Sequence, residues 1–297
     1  MKTGGNMKYS KFRKVCAFSF LLLALSLLLA EARTQPKSGK LRSVYVALDN
    51  LPPFPQKQNN RLQKYQVSSC LTNRDISGNI LSYIMTTANY SRNPADSSFK
   101  WNHVRIGTAN PPQKEVADNS LTPYPEMENF TYRLSPDIVN EEFFNKFPND
   151  DRKQLIKMLV WDAALFEPSF WQHFDQMKLN EVIVVGNFKD QEILMGNFGA
   201  IKMKDLKFQW SGISKRNNEL CALLQFRSFA NPVRSDQEGM VISGRSLYWG
   251  DLWVSLIDGD LEYGTLYEDF MMQMQITNVP SAQILDIQRE VRFEKSE

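Results

Sequence analysis

The residues 161–177, WDAALFEPSFWQHFDQM, bring the chain's acid–base side chains closest together: Asp162, Glu167, His173 and Asp175 stand among Trp161, Phe166, Phe170, Trp171 and Phe174. A carboxyl group against an aromatic wall is desolvated, which raises its pKa, and two such groups could act as acid and base on a glycosidic bond. Asp251 or Glu268 would supply further carboxylates for such a hydrolase. The same spacing has a simpler reading, an amphipathic helix pair whose aromatics are core and whose charges face water. The aromatic content of the segment favours the simpler one.

Other chemistries are narrowed by absence. The chain holds 2 histidines, His103 and His173, so a zinc site of three histidines or a copper site built mainly from imidazoles is excluded. Gly-x-Ser-x-Gly, a phosphate-binding glycine loop and a dinucleotide fingerprint are all missing from the sequence. Asp258-Gly259-Asp260-Leu261-Glu262 clusters carboxylates as calcium likes them, yet a calcium loop needs more ligands and a turn explains Asp-Gly. Neither a metal nor a cofactor is expected. Tyr248, Trp249, Trp253, Tyr263 and Tyr267 are the better binding candidates, because aromatics on the outer face of a sheet stack on sugars or line an apolar pocket. If that sheet is covered on both sides, the same residues are core. A glycan or an apolar ligand is therefore the expected partner.

The N-terminus carries Lys2, Lys8, Lys11, Arg13 and Lys14, then an apolar run to Ala30 and the small-x-small Ala30-Glu31-Ala32. That order reads as a secretory signal peptide, residues 1–32, cleaved after Ala32. The apolar run is shorter than the roughly 20 residues a membrane span needs, and no later stretch replaces it. An exported protein, secreted or periplasmic, with no transmembrane segment after cleavage, is expected. The whole chain has 35 basic and 33 acidic residues, and residues 1–32 carry five of the former and Glu31 of the latter. The remainder is slightly acidic without a basic cluster, so nucleic acid is not an expected partner. Cys70 and Cys221 remain after cleavage and could pair in an oxidising compartment, or stay as separate thiols. Asn89-Tyr90-Ser91 and Asn129-Phe130-Thr131 match the glycosylation acceptor pattern.

The elements that must position these groups follow from periodicity. Leu41 to Leu48 reads as a strand, and Thr72 to Met85 as a helix, with Ile76, Ile80, Tyr83 and Ile84 at helical spacing. Residues 89–133, interrupted by prolines, read as irregular connections. Ser135-Pro136-Asp137 opens a short helix that Pro148 closes, and Asn149 to Asp151 cap the next, with Leu155, Met158, Leu159 and Phe166 on it. After Lys178 the pattern turns to strands at 182–185, 192–195, 200–210, 220–229, 240–257, 261–276 and 285–294. Asp258-Gly259 between two of them predicts a two-residue type I′ hairpin.

The fold class is α+β within one domain over 33–297: helices mainly before residue 178, then a largely antiparallel sheet, curled into a barrel or packed as a sandwich. No motif is specific enough to name a family. Three function classes remain, led by an exported binding or interaction module that uses the aromatic β surface. The alternatives are a hydrolase on an extracellular polymer, with Asp162 and Glu167 as paired carboxylates, and a structural envelope or matrix component.

Overall fold

The computed structural model describes residues 60–296 apart from 112, 114, 151, 167–176, 186–188, 195–198, 217 and 238. The expected signal peptide over 1–32 and strand over 41–48, and Glu167, His173 and Asp175, lie outside the described residues. The rest is dominated by one antiparallel sheet. Its strands are β1 (Gln63–Arg74), β2 (Ile80–Asn93), β3 (Ser98–Ala109), β4 (Thr122–Pro123), β5 (Phe130–Arg133), β6 (Val182–Val185), β7 (Glu192–Leu194), β8 (Ala200–Lys202), β9 (Leu206–Arg216), β10 (Glu219–Gln237), β11 (Met240–Ser255), β12 (Leu261–Ile276) and β13 (Gln283–Ser296). The strand order is β4-β3-β2-β1-β13-β12-β11-β10-β8-β7, with β5 also on β3, β9 also on β10 and β6 outside β9. Among the described residues the one α-helix is α1 (Arg152–Phe166). No helix there is long and apolar enough to cross a membrane.

Two meanders, β1 to β3 and β10 to β13, are joined where the last strand lies against the first. Lys64 to Arg74 pair with Ser296 to Asp286, all of β1 but its first residue. The sheet is open, since its path runs from β4 to β7 without returning, so neither the expected barrel nor a two-sheet sandwich forms. It nevertheless curls. Ile106 of β3 and Ile193 of β7 stand eight strand spacings apart in that order, about 38 Å if the sheet were flat, yet both line one cavity.

The strands expected at 182–185, 192–195, 240–257, 261–276 and 285–294 are found because period-2 alternation there is clear, whereas the one expected at 200–210 is two, β8 and β9, and the one expected at 220–229 runs on to Gln237 as β10. The segment expected as a helix at 72–85 is instead the end of β1, a turn and the start of β2. Asp75 makes that turn: its Oδ1 accepts from the Ser77 and Asn79 amides at 2.9 and 2.8 Å, and Gly78 adopts φ +82°. A carboxylate that caps its own turn competes with the helical ladder. Ile76, the residue that completed the helical spacing, lies in the turn and is exposed.

Residues 89–133 hold β3, β4 and β5 where irregular connections were expected. A bulge hides the alternation in β3: Phe99 and Trp101 point inward, His103 takes φ +51°, and Val104 and Ile106 then continue the inward face one residue out of phase. The same device recurs in β10, where Ala222, Leu224, Phe226 and Ser228 give way after Ala230, at φ +59°, to Asn231, Val233 and Ser235. Buried Asn231 holds that bulge, its Oδ1 accepting from the Lys204 amide at 2.8 Å and its Nδ2 donating to the Ser246 carbonyl at 3.3 Å.

The helix expected to open at Ser135 is a pair of 3-10 turns, Pro136–Val139 and Glu141–Phe144, the first capped by Ser135 Oγ on the Asp137 amide at 3.2 Å. The β11–β12 hairpin exists, but not through a two-residue turn. Residues 256–260 form a wider loop in which Gly259 takes φ +76° while Ser255 Oγ accepts from the amides of Ile257 and Asp258. Cys70 and Cys221 are free thiols, on β1 and β10 with β13, β12 and β11 between them.

Candidate binding cavity

In an antiparallel sheet, residues directly opposite each other share a face, so the inner face can be followed across the strands. Val67 of β1 faces Phe293 of β13 and Ala88 of β2; Phe293 faces Gly264 of β12, and Gly264 faces Leu252 of β11. Four residues further along, Leu71 faces Arg289 and Ile84, Arg289 faces Glu268, and Glu268 faces Tyr248. The first row is wholly apolar and buried. The second carries the charges.

Helix α1 lies over this face. Asp150 starts it, its Oδ1 accepting from the Arg152 and Lys153 amides at 3.0 and 3.1 Å, which satisfies donors the helix itself leaves open. Burial holds the Asp150 carboxyl up, but the Arg152 guanidinium beside it outweighs this and lowers its pKa. One side of the helix, Ile156, Leu159, Val160, Ala163 and Phe166, is buried. Phe166 inserts into the first row, with its ring 4.7 Å from Phe293 and 5.9 Å from Phe226. Leu155, Met158, Trp161 and Leu165 are half-buried and face a different volume. That volume is a cavity of about 1410 Å³ lined by α1 and the second row and partly open to solvent. Leu71, Ile84, Ile106, Leu266, Phe270 and Ile287 form its floor. Ile138 and Val139, from the first 3-10 turn, help to wall it, and Trp161 Nε1 donates to the Ile138 carbonyl at 2.8 Å.

One polar cluster stands in this apolar wall. Arg289 Nη1 contacts Asp162 Oδ2 of α1 at 2.5 Å, and its Nη2 and Nε contact Glu268 Oε2 at 2.7 and 2.9 Å. Ser246 Oγ donates to the other Glu268 oxygen at 2.6 Å. Arg289 and Asp162 are both buried. Burial pushes the Asp162 carboxyl up to about 6; Arg289 lowers it, but that guanidinium also serves Glu268, whose charge raises it again. Burial opposes the charge on Arg289, yet its two carboxylates hold its pKa above the ordinary value.

The direction of the Asp162 shift sets a pH dependence. The native state keeps this proton at pH values where the unfolded chain, with its ordinary 3.8, has lost it. The group thus favours the fold most below 3.8, and that contribution disappears as pH rises through about 6. Two pH units correspond to on the order of 3 kcal/mol. Asp162→Asn is expected to gain stability relative to the parent protein between pH 4 and pH 7, read from paired urea titrations. A difference that stays constant with pH would mean that Asp162 is ionised in both states throughout.

The sequence-based candidates separate on this structure. Asp162 and Glu268 meet at Arg289, whereas Asp251 lies on the opposite face, accepting from Gln225 Nε2 at 3.0 Å. Two carboxylates tied to one guanidinium are poorly placed as a free acid and base. Tyr248 faces inward and is buried, which raises its pKa, with Ser228 opposing and Glu268 adding to the shift. Trp249, Trp253, Tyr263 and Tyr267 are on the outer face. There Trp249 stacks on Tyr267 at 6.0 Å, Trp253 meets Tyr263 edge-on at 5.3 Å, and Arg216 lies 3.7 Å over the Tyr263 ring. Asp258, Asp260 and Glu262 are matched by cations: Arg61 reaches Asp258 at 3.2 Å, and Lys295 reaches Asp260 at 3.2 Å and also contacts Glu262. Asn89 and Asn129, the glycosylation acceptors by pattern, are both exposed.

Sequence reasoning missed Arg289, Leu71, Ile84 and Ile106. An arginine at an inward position of an otherwise alternating strand was the available signal, but Leu285, Ile287, Val291 and Phe293 made β13 read as a strand with one dry face.

No protein-family model matches the chain, and no characterised protein matches it in sequence. Among solved structures the chain is similar to one described for lipid–protein interactions in lipovitellin, with a TM-score of 0.43 and 8% identity, over 81% of this chain and 25% of that one. The chain therefore spans about a quarter of the lipovitellin chain, and the likeness is too distant to bear on function.

Proposed function

We propose that the protein is an exported binding protein whose ligand is apolar and lipid-like, held between α1 and the inner face of the sheet. The observation that carries this reading is the cavity: about 1410 Å³, floored by aliphatic and aromatic side chains and walled by the half-buried side of α1. Pockets for small molecules commonly run from about 300 to 1,000 Å³. A volume beyond that range suits a long hydrocarbon chain, or more than one. Leaving Leu155, Met158 and Ile287 facing water would cost the apolar burial that a hydrocarbon ligand restores. Export rests on the N-terminal residues 1–32 and fits a protein that moves or holds apolar molecules outside the cytoplasm.

The outer aromatic ladder is the second candidate surface, with Trp249 40% exposed. It is less favoured, because its ring faces are already spent on one another and on Arg216.

An uncharged probe tests the cavity directly. A pyrene-labelled long-chain alcohol is expected to bind, quenching Trp161 and giving a negative heat-capacity change in calorimetry, the mark of apolar burial. Ile84→Trp, which projects bulk into the cavity floor, is expected to weaken that binding by about tenfold, the effect of roughly 1.4 kcal/mol. Equal binding by both proteins would place the probe elsewhere and remove the reading.

A further inference from the structure

We propose that Lys153 and Lys157, at one end of the cavity, receive the carboxylate of a long-chain fatty acid, with the Glu141 carboxylate occupying that position in the unliganded protein. This rests on the cavity being an apolar-ligand site and adds the chemistry of the ligand's head.

Lys153 and Lys157 are four residues apart on α1, so they project from the same side of the helix. Both line the cavity, and their side chains are 11% and 3% exposed. Among the described residues these two ammonium groups share one carboxylate. Glu141 Oε1 lies 3.1 Å from Lys153 Nζ, and the other Glu141 oxygen contacts Lys157 Nζ. The neighbouring Arg152 does not alter this balance, because Asp150 already matches it at 2.7 Å. The Phe144 ring, 5.8 Å from Lys157 Nζ, adds only a weak attraction. Two buried cations held by one anion keep this place demanding a carboxylate, so Glu141 leaves only when another anion takes its position.

Glu141 shows which anion fits. One oxygen on each ammonium is how a single carboxylate spans this pair, and a fatty-acid head would be held in the same way. Glu141 comes from a 3-10 turn and its side chain is 44% exposed, so it can turn to water when displaced. Hydrogen bonding from Lys157 lowers the Glu141 pKa, which keeps it ionised and competent as a stand-in at neutral pH. From this end the apolar chain would run past Trp161, one turn beyond Lys157 on α1, toward Leu165 and Ile287.

Hexadecanoate and hexadecanol, compared in calorimetry, separate the head from the chain. The acid is expected to bind the parent protein about tenfold more tightly than the alcohol, the gain of charge-assisted hydrogen bonds. In Lys153→Gln/Lys157→Gln that preference should vanish while the alcohol binds as before. In Glu141→Gln, with the competing anion removed, the acid should bind more tightly and the alcohol unchanged. Equal affinity for acid and alcohol in the parent protein overturns the head site and leaves the apolar cavity standing. Binding of neither overturns both. If the double variant fails to fold, the parent comparison and Glu141→Gln still decide.

Discussion

Arg289→Met is expected to destabilise the protein by about 3–5 kcal/mol at neutral pH, the usual cost of breaking a buried ion pair from one side. The guanidinium is the one cation between Asp162 and Glu268 in the network it forms, and its removal leaves two carboxylates facing each other in an apolar wall. Protonation is the escape available to them, so the loss should shrink between pH 7 and pH 5, as unfolding in urea at both pH values would show. A combined Arg289→Met/Asp162→Leu/Glu268→Gln protein should recover most of the loss. Gln at 268 keeps an acceptor for Ser246, and no buried charge remains. A single-variant loss below about 1 kcal/mol would mean that water enters the cavity deeply enough to screen the cluster as it screens surface pairs.

Phe293→Ala should cost about 3–5 kcal/mol, through lost transfer energy and the void that rigid neighbours leave. Phe293 is 1% exposed, with its ring 4.7 Å from Phe166 and 5.8 Å from Tyr90. The space above its partner Gly264 is already taken: a Cβ there would lie 3.1 Å from Leu252 and 3.6 Å from Phe166. Neighbours that tight cannot collapse into the hole. The ring also anchors the last turn of α1 to β13, so the variant should lose binding of the alcohol probe along with stability. A lower denaturant midpoint with an unchanged m-value would identify this as lost packing within one cooperative unit. Loss of under 1 kcal/mol would mean that the neighbours close the void and that α1 is held by its remaining contacts, such as Phe166 on Phe226 and Asp162 on Arg289.

How far the sequence could be read depended on whether side-chain phase is kept along each strand. From Glu219 to Ser228 and again from Met240 to Ser296 the alternation runs long enough for the strands to be legible, and Asn149 and Asp150 with the apolar spacing of Leu155 to Phe166 marked the helix. In β3 the phase flips at His103, so Phe99 and Trp101 appear to oppose Val104 and Ile106 although all four face inward. A bulge is one residue of backbone geometry, invisible to a count of alternating types. The Thr72–Met85 segment failed for a related reason. Ile76 and Ile80 satisfied helical spacing, while the decisive residue was Asp75, whose carboxylate closes a turn on Ser77 and Asn79.

For the candidate site, residue type was legible and company was not. Asp162 stood out in sequence beside Trp161 and Phe166, but the partner that defines its chemistry, Arg289, is 127 residues away. The Tyr248–Tyr267 aromatics were recognised as a group, and the strand period then divided them, with Tyr248 facing in and Trp249, Trp253, Tyr263 and Tyr267 facing out. By itself the sequence determined local matters: the antiparallel strands after residue 178, the capped helix at 152, and the lack of imidazoles for a three-histidine metal centre. Only the tertiary structure decided that β13 lies between β1 and β12, that the sheet stays open and curls, and that a cavity remains beneath α1. The physical reason is that periodicity and capping act over a few neighbouring residues, whereas a cavity and a buried ion pair arise from strand order and register between segments far apart in the chain.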